Sequence, residues 1–345
     1  MTVLTSPASL SPGHRKSVGE LPIFEPMAGT VIAEPPGNEE GYWVGGPSPV
    51  FDENSQKLYL SIRRRTKLLE HGRAGRGGET AILESADGET YSEVWKADKS
   101  AFEALSIEKS CLVQTSDGRF RLYVSYTAIF DYRWRIAMIE ADTPANLDPA
   151  TAKVVLTSEM TGTEGVKDPV IYNVGGLWHM FANCCPTPEA GDPGRLNRMH
   201  KEGNAFVSGE MPCPSGLATS HDGINWNWQG VVLPTGDGWD RYLARFTSLI
   251  HTPPFFTCIY DGRPNIGPAY CENPGLAISF DLRTFHKLGH ERGILRSPHG
   301  RGGLRYVEAL IVGTDLFYFY EIARPDFAHE LRTIRMPLGA GGLSI

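Results

Sequence analysis

Apolar residues in this chain come in short runs that alternate with turn chemistry, and the runs come in pairs. The clearest pair spans 166–181. Lys167-Asp168 open a run of strand length, Gly175-Gly176 form a tight turn, and Leu177-Trp178-His179-Met180-Phe181 return. Pro169 suits a first strand position because it has no N–H to donate. Two glycines supply the positive φ of a hairpin turn. The same grammar occurs four more times. Residues 48–51 turn at Asp52-Glu53-Asn54 and return as 58–62. Residues 110–113 turn at Asp117-Gly118 and return as 120–124, and 247–250 turn at Pro253-Pro254 and return as 255–260. Residues 308–312 turn at Gly313-Thr314-Asp315 and return as 316–320.

A third run of strand type follows each hairpin, at 80–85, 135–141, 216–220, 275–279 and 331–336. Asp-Gly pairs such as Asp87-Gly88 and Asp222-Gly223 mark turns into a fourth strand, for example 230–233. The units recur about every 60 residues, which is a propeller-like period. Five sets of four strands predict an all-β fold, a five-bladed β-propeller with four antiparallel strands per blade. Residues 29–33 read as a strand ahead of the first blade, and the last blade has a weak outer edge at 331–336. The N-terminal strand is therefore expected to pair with the C-terminal blade and close the ring. The alternative is an extended strap on the surface.

Composition narrows the class without changing the fold. The chain has 345 residues, of which 41% are hydrophobic and 21% charged, as in an ordinary globular protein. A formal net charge of -7 argues against a general nucleic-acid binder. No apolar run approaches the length of a membrane span. Residues 1–20 are rich in Ser, Pro and Gly and lack the apolar core of a secretory signal. They read as a flexible arm ahead of a single domain at 21–345, and a cytoplasmic location is expected. The six cysteines are scattered and include no C-x-x-C spacing, which fits free thiols. A zinc site from Cys184, Cys213 and His200 lacks ligand spacing, so neither a metal nor another cofactor is expected.

Two segments stand out from the repeat. Arg63-Arg64-Arg65 end a return strand and run into a loop with Lys67, His71, Arg73 and Arg76. Guanidinium groups match carboxylate or phosphate in bidentate fashion, and strand alternation sends Arg64 to one face and Arg63 and Arg65 to the other. A solvated basic loop is the competing reading. An insertion at 184–214 interrupts the third blade, carries His200, and is long enough to fold over the mouth of the channel.

The chemistry gathers where the first strand of each blade begins, because those strands line the axis of a propeller. The five entrances are Gly46-Pro47-Ser48, Glu108-Lys109-Ser110, Lys167-Asp168-Pro169, Arg245-Phe246-Thr247 and Tyr306-Val307-Glu308. Glu108, Asp168 and Glu308 are expected to converge, flanked by Lys109, Lys167, Arg245 and Arg305. Carboxyls held together shift one another's pKa, which lets one donate a proton while another stays ionised. Glycoside cleavage needs such a pair. A structural ion-pair ring is the alternative. Trp43, Trp239 and Tyr306, just before first strands, offer apolar faces on which a sugar ring stacks.

The strand entrances, the Lys167-Asp168-Pro169 of the third blade and the Ser-x-Asp-Gly turns resemble the five-bladed glycoside hydrolases over 41–337. That superfamily includes arabinanase and β-xylosidase, invertase and levansucrase, and β-mannoside phosphorylase-like groups. By this resemblance Asp168 matches the aspartate of the third blade that stabilises the transition state or tunes a pKa. The arabinanase and invertase pattern also has an acid at the first entrance, where this chain has Pro47-Ser48-Pro49, and one at the fourth, where it has Arg245-Phe246-Thr247. The phosphorylase-like pattern fits better, through the arginine-bearing strand 60–64 and the Lys-Asp of the third blade. There the catalytic aspartate of the second blade is Lys109, with Glu108 the nearest replacement.

The expected function is a glycoside-cleaving enzyme, hydrolase or phosphorylase, acting on a sugar or sugar-like substrate with anionic character. Glu108 would be the acid, Asp168 the ligand of a substrate hydroxyl and Glu308 the base. Arg64, Trp43, Lys167, Arg245, Arg305, Tyr306 and His200 would bind substrate or phosphate. The alternative is a divergent propeller without glycosidase activity, either a carbohydrate binder or a biosynthetic cyclase or lyase. The missing acid at the first entrance favours that alternative.

Overall fold

The computed structural model describes residues 21–67, 77–189, 192–201, 204–266, 271–289 and 291–337. The arm at 1–20 and the loop residues His71, Arg73 and Arg76 lie outside the described residues. Twenty strands account for most of the rest. β1 (Thr30–Ala33) comes first. β2 (Trp43–Asp52), β3 (Lys57–Arg65), β4 (Glu79–Ser85) and β5 (Ser92–Asp98) form the first group. β6 (Ala104–Gln114), β7 (Phe120–Ala128), β8 (Trp134–Ala141) and β9 (Lys153–Leu156) form the second. α1 (Ser158–Thr161) leads into the third group. It comprises β10 (Thr163–Val174), β11 (Leu177–Pro186), β12 (Ser215–Ser220) and β13 (Asn227–Leu233), with α2 (Pro193–His200) between β11 and β12. The fourth has β14 (Leu243–Thr252), β15 (Phe255–Arg263), β16 (Asn273–Ser279) and β17 (His286–Lys287). β18 (Leu304–Val312), β19 (Asp315–Ala323) and β20 (His329–Pro337) end the chain. Among the described residues no helix is long and apolar enough to cross a membrane.

Pairing within each group is antiparallel and sequential, so the hairpin pattern of the sequence is the sheet pattern of the fold. The second, third and fourth groups are separate four-stranded sheets. β1 pairs with β20, with Thr30 opposite Thr333 and Ala33 opposite Leu331, as the weak outer edge of the last group led one to expect. A single parallel bridge between Trp43 and His329 joins this last group to the first, making one eight-stranded sheet.

The Ser-x-Asp turns are local devices that repeat. Ser85 Oγ accepts the N–H of Gly88 at 2.8 Å, and Asp87 Oδ1 accepts those of Glu89 and Thr90 at 2.8 and 2.7 Å. The same bonds recur at Ser220 and Asp222 and at Ser279 and Asp281. Each short side chain replaces the strand ladder with a turn of its own. Apolar faces fill the space between neighbouring groups. Phe181 stacks on Phe246 with centroids 4.0 Å apart, and Tyr59 meets Phe120 edge-on at 5.3 Å.

Hydrogen bonds along the first strands tie each group to the next. Leu112 N–H donates to Ser48 Oγ, Asp168 N–H to Ser125 Oγ, Leu249 N–H to Tyr172 Oη, and Ala309 N–H to Ser248 Oγ, all within 3.1 Å. β2 touches β6 and β18, β6 touches β10, β10 touches β14, and β14 touches β18. One boundary differs from the sequence reading. Cys184, Cys185 and Pro186 continue β11, so the insertion begins at 187 rather than 184. Cys184 N–H donates to Pro214 O at 2.9 Å, which holds the two ends of the insertion together.

Candidate functional site

The five first strands share one irregularity. Pairing slips between Gly45 and Ser48, Ile107 and Ser110, Lys167 and Val170, Phe246 and Ser248, and Arg305 and Glu308. Bulges re-aim side chains and recur beside functional sites. Three of them use positive φ: Gly46 at 59°, Asp168 at 54° and Tyr306 at 52°. This region is costly for side chains larger than glycine, above all for an aromatic one.

Residues on the leading side of the bulges form a buried, charged cluster. Glu108 lies 3.5 Å from Arg63 and 3.6 Å from Arg65. Asp168 is fully buried, 3.6 Å from both Lys167 and Arg245 and 3.5 Å from Tyr306 Oη. Arg245 also binds Asp261 at 2.6 Å, donates to Tyr306 Oη at 3.0 Å and lies over the Tyr306 ring. Arg305 bridges Glu321 at 2.6 Å and Glu272 at 3.0 Å, and Glu272 meets Arg263 at 3.5 Å. Glu321 further binds Arg63 at 3.0 Å and His329 at 2.8 Å. The cluster thus holds six cationic side chains, Arg63, Arg65, Lys167, Arg245, Arg263 and Arg305. Against them stand five carboxyls, Glu108, Asp168, Asp261, Glu272 and Glu321.

Electrostatics follow from these neighbours. Burial alone would raise Glu108, but Arg63, Lys167, Arg65 and Arg305 outweigh it and hold the carboxyl at about 2. Glu321 is likewise held at about 2 by Arg305 and Arg63 against its burial. Glu272 lies below the usual carboxylate range, because Arg305, Arg263 and Arg245 overcome desolvation. Burial pushes Asp261 up to about 6 despite Arg245. Glu108 is therefore ionised at neutral pH and poorly suited to donate a proton.

A cavity of about 20 Å³ lies against this cluster, lined among others by Glu108, Lys167, Arg245, Arg263 and Tyr306. It has room for a water, not for a sugar ring. The insertion fills the rest: Asn204, Phe206 and Val207 line the same cavity. Phe206 is anchored among Trp134, Met199, Cys213 and Tyr242, and Lys167 Nζ sits 5.0 Å from its ring centroid. Arg245 Nε and Arg263 Nε, both buried, have no hydrogen-bond partner among the described residues, and neither has Asp168 Oδ1.

Several expected site residues stand elsewhere. Arg64 is not in the cluster; it binds Glu79 and Glu93 at 2.6 Å each, on the face opposite Arg63 and Arg65. Alternation was right and the inward face was the other one. Trp43 is 3% exposed, with Arg65 and Arg305 over its ring, so it offers no face to a sugar. His200, on α2, binds Glu164 at 2.8 Å, and Glu164 also holds Arg133 at 3.0 Å and Thr187 at 2.9 Å. It fastens the insertion to β10 and does not line the cavity. Glu308 is separated from Glu108 and Asp168 because the β18 bulge consumes Tyr306 and Val307. It stands level with Ser48, Ser110 and Ser248, beside Lys109 at 3.1 Å. Lys167, Arg245, Arg305 and Tyr306 do share the cavity wall with Glu108.

Asp261, Arg263, Glu272 and Glu321 escaped the sequence reading. Three lie on return strands opposite or beside entrance residues: Asp261 pairs with Arg245, Glu321 with Arg305, and Arg263 with Leu243. A charged residue ending an apolar return strand was the available signal. Glu321 also fills the space just ahead of the first entrance. A Cβ at Gly45 would lie 2.0 Å from Glu321 Oε2, so the carboxylate of β19 occupies the space a side chain there would take.

No protein-family model matches the chain, and no curated protein matches it by sequence. Solved structures match it by fold. It is similar to a β-xylosidase (12% identity, TM-score 0.59, 90% of this chain and 97% of that one). A thermostable family-43 glycoside hydrolase matches at 14% identity and TM-score 0.59, over 90% and 94% of the two chains. β-1,2-Mannobiose phosphorylase from Listeria innocua, in complex with β-1,2-mannobiose, matches at 12% identity and TM-score 0.57, over 87% and 90%. The chain therefore has the propeller-like fold of xylosidase-type glycoside hydrolases and a mannobiose phosphorylase, and is a divergent example of it.

Proposed function

We propose that the five strand groups are the blades of one five-bladed propeller domain, closed by β1, and that its leading end binds a sugar or sugar-like molecule through a carboxylate or phosphate group. The contacts that run from β2 through β6, β10, β14 and β18 back to β2 support the ring. One observation carries the ligand class: six buried cations face five carboxyls, and Arg245 and Arg263 keep guanidinium donors without a partner at the cavity wall. An anionic group satisfies those donors in the planar geometry guanidinium prefers. Entry of a sugar requires the turn at Ala205–Val207 to move aside. Calorimetry with glucuronate, glucose 6-phosphate and glucose tests this. The two anions bind and glucose binds at least about tenfold more weakly, and Arg263→Gln removes that preference. Equal affinity for glucose and the anions overturns the reading.

Cleavage of a glycosidic bond by phosphate is the second reading, favoured by the same unpartnered guanidinium donors. Inorganic phosphate is already a charged nucleophile, so the missing first-entrance acid matters less than it does for water. Asp168, with Oδ1 free, would hold a substrate hydroxyl, Glu108 would act as a fixed negative charge rather than the acid, and the proton taken up by the leaving glycosidic oxygen would come from the attacking hydrogen phosphate itself. Incubation with β-1,2-mannobiose and phosphate would release a sugar 1-phosphate. Release of free sugar at the same rate with and without phosphate rejects phosphorolysis in favour of hydrolysis.

A further inference from the structure

On the trailing side of the bulges the same strands enclose a second cavity, of about 680 Å³, walled by β2, β6, β10 and β18. That volume suits a ligand of mono- or disaccharide size. Its lining has a one-sided charge. Glu308, Glu53 and Asp117 contribute carboxyls, and none of the described lining residues is Lys, Arg or His. Glu308 is only 5% exposed. Lys109 Nζ stands 3.1 Å from its Oε2 and also donates to Pro169 O at 3.3 Å. With Lys109 shared between Oε2 and Pro169 O, the carboxyl keeps an edge at the cavity wall that a ligand N–H can meet.

We propose that this cavity is a second ligand site, distinct from the leading end, for a small hydroxylated molecule that carries a protonated amine. The amine meets Glu308 at the floor and is drawn in past Glu53 and Asp117. Hydroxyls meet polar side chains of the wall such as Asn54, Ser116 and Asn173, and Trp178 provides an apolar surface. Neutral sugars lack the donor charge, and sugar acids face like charge. The groups facing Glu308 are Lys109 and Cys111 from β6 and Tyr172 from β10. Burial raises Cys111 and Tyr172 above their ordinary values, so both are uncharged near neutrality. Burial also pushes Glu308 up to about 7, against the pull of Lys109. A cation prefers the ionised form, so its affinity rises as pH passes upward through about 7.

The test is calorimetry on the full chain with N-methylglucamine, whose amine stays protonated over this interval, against sorbitol and gluconate. N-methylglucamine binds at least about tenfold more tightly than sorbitol, gluconate does not bind, and the affinity climbs between about pH 6 and 8. Glu308→Gln flattens that climb. Should Glu308→Gln fail to fold, the rim variant Glu53→Gln with Asp117→Asn, both exposed, still weakens N-methylglucamine severalfold and leaves sorbitol unchanged. Gluconate or sorbitol binding as well as the amine, a pH-independent affinity, or no binding at all overturns the proposal. Glucose 6-phosphate does not displace N-methylglucamine, which separates this site from the leading end.

Discussion

The two sides of the bulges are made from the same five strands, and the glutamates of the leading side are treated in the opposite way to the one on the trailing side; Asp261, with Arg245 as its one close cation, is raised like Glu308. On the leading side each of Glu108, Glu272 and Glu321 has at least two cationic neighbours, and all three are held far below the ordinary carboxyl value. On the trailing side Glu308 has Lys109 alone, and burial wins, lifting it to about 7. Desolvation of comparable depth acts in both places. The number of cations within reach decides its outcome. The leading side is in consequence a fixed electrostatic framework, capped by the insertion and closed down to a water-sized space. The trailing side is roomy, and burial pushes its carboxyl, Glu308, up to about 7.

The largest effect expected from breaking this contrast is at Glu321. It is fully buried and shared by Arg63, Arg305 and His329. Glu321→Gln leaves two guanidinium groups short of a counter-charge and lowers stability by roughly 3–5 kcal/mol in urea denaturation. A loss below about 1 kcal/mol would mean the framework does not depend on its central acid.

A smaller effect, of opposite pH sense, is expected at Glu308. Its folded value of about 7 lies above the ordinary 4.5, so the folded protein holds this proton more tightly than the unfolded chain. The stabilisation is complete below about pH 4.5, falls as pH rises, and is gone above about 7, a total of roughly 3 kcal/mol. Glu108 and Glu321 behave in reverse. Their contribution is present above about 4.5 and is lost as pH falls toward 2. Denaturation of wild type and Glu308→Gln between pH 4.5 and 7 isolates the first effect, because only the wild type declines through Glu308. Parallel curves would place Glu308 in a solvated setting and remove the contrast.

The smallest effect marks the edge of the framework. Arg64 is a quarter exposed and pairs with Glu79 and Glu93, which also see solvent. Arg64→Ala costs less than about 1 kcal/mol and leaves binding at the leading end unchanged. A larger loss would extend the framework to the outer face of β3.

Much of the fold was legible because its signals are local. A hairpin is written in its turn, as at Gly175-Gly176, and in the apolar run on either side, so all five hairpins fall where the pattern put them. The Ser-x-Asp turns form bonds within four residues and need no partner from elsewhere. Even the pairing of β1 with β20 followed from a spare strand and a weak outer edge. The site was legible only in part. Glu108, Asp168, Lys167, Arg245, Arg305 and Tyr306 did converge, since each begins a first strand or lies near its start. Arg64 and Trp43 did not join them as expected, and Glu308 lies past a bulge.

What the sequence by itself determined, then, was everything that depends on neighbours in the chain: strands, turns, their order, and which residues lie at strand entrances. Tertiary structure decided which face of Arg63-Arg64-Arg65 turns inward, and where Glu308 stands after a two-residue bulge. It also decided which carboxylate fills the space at Gly45. Those outcomes depend on groups far apart in the chain, such as Glu321 over Gly45, separated by hundreds of residues and joined only by packing. The same holds for the pKa of each acid. Glu108 and Glu308 are both glutamates of first strands, and one is held low while the other is pushed up because one gathers four cationic neighbours from across the molecule and the other a single lysine.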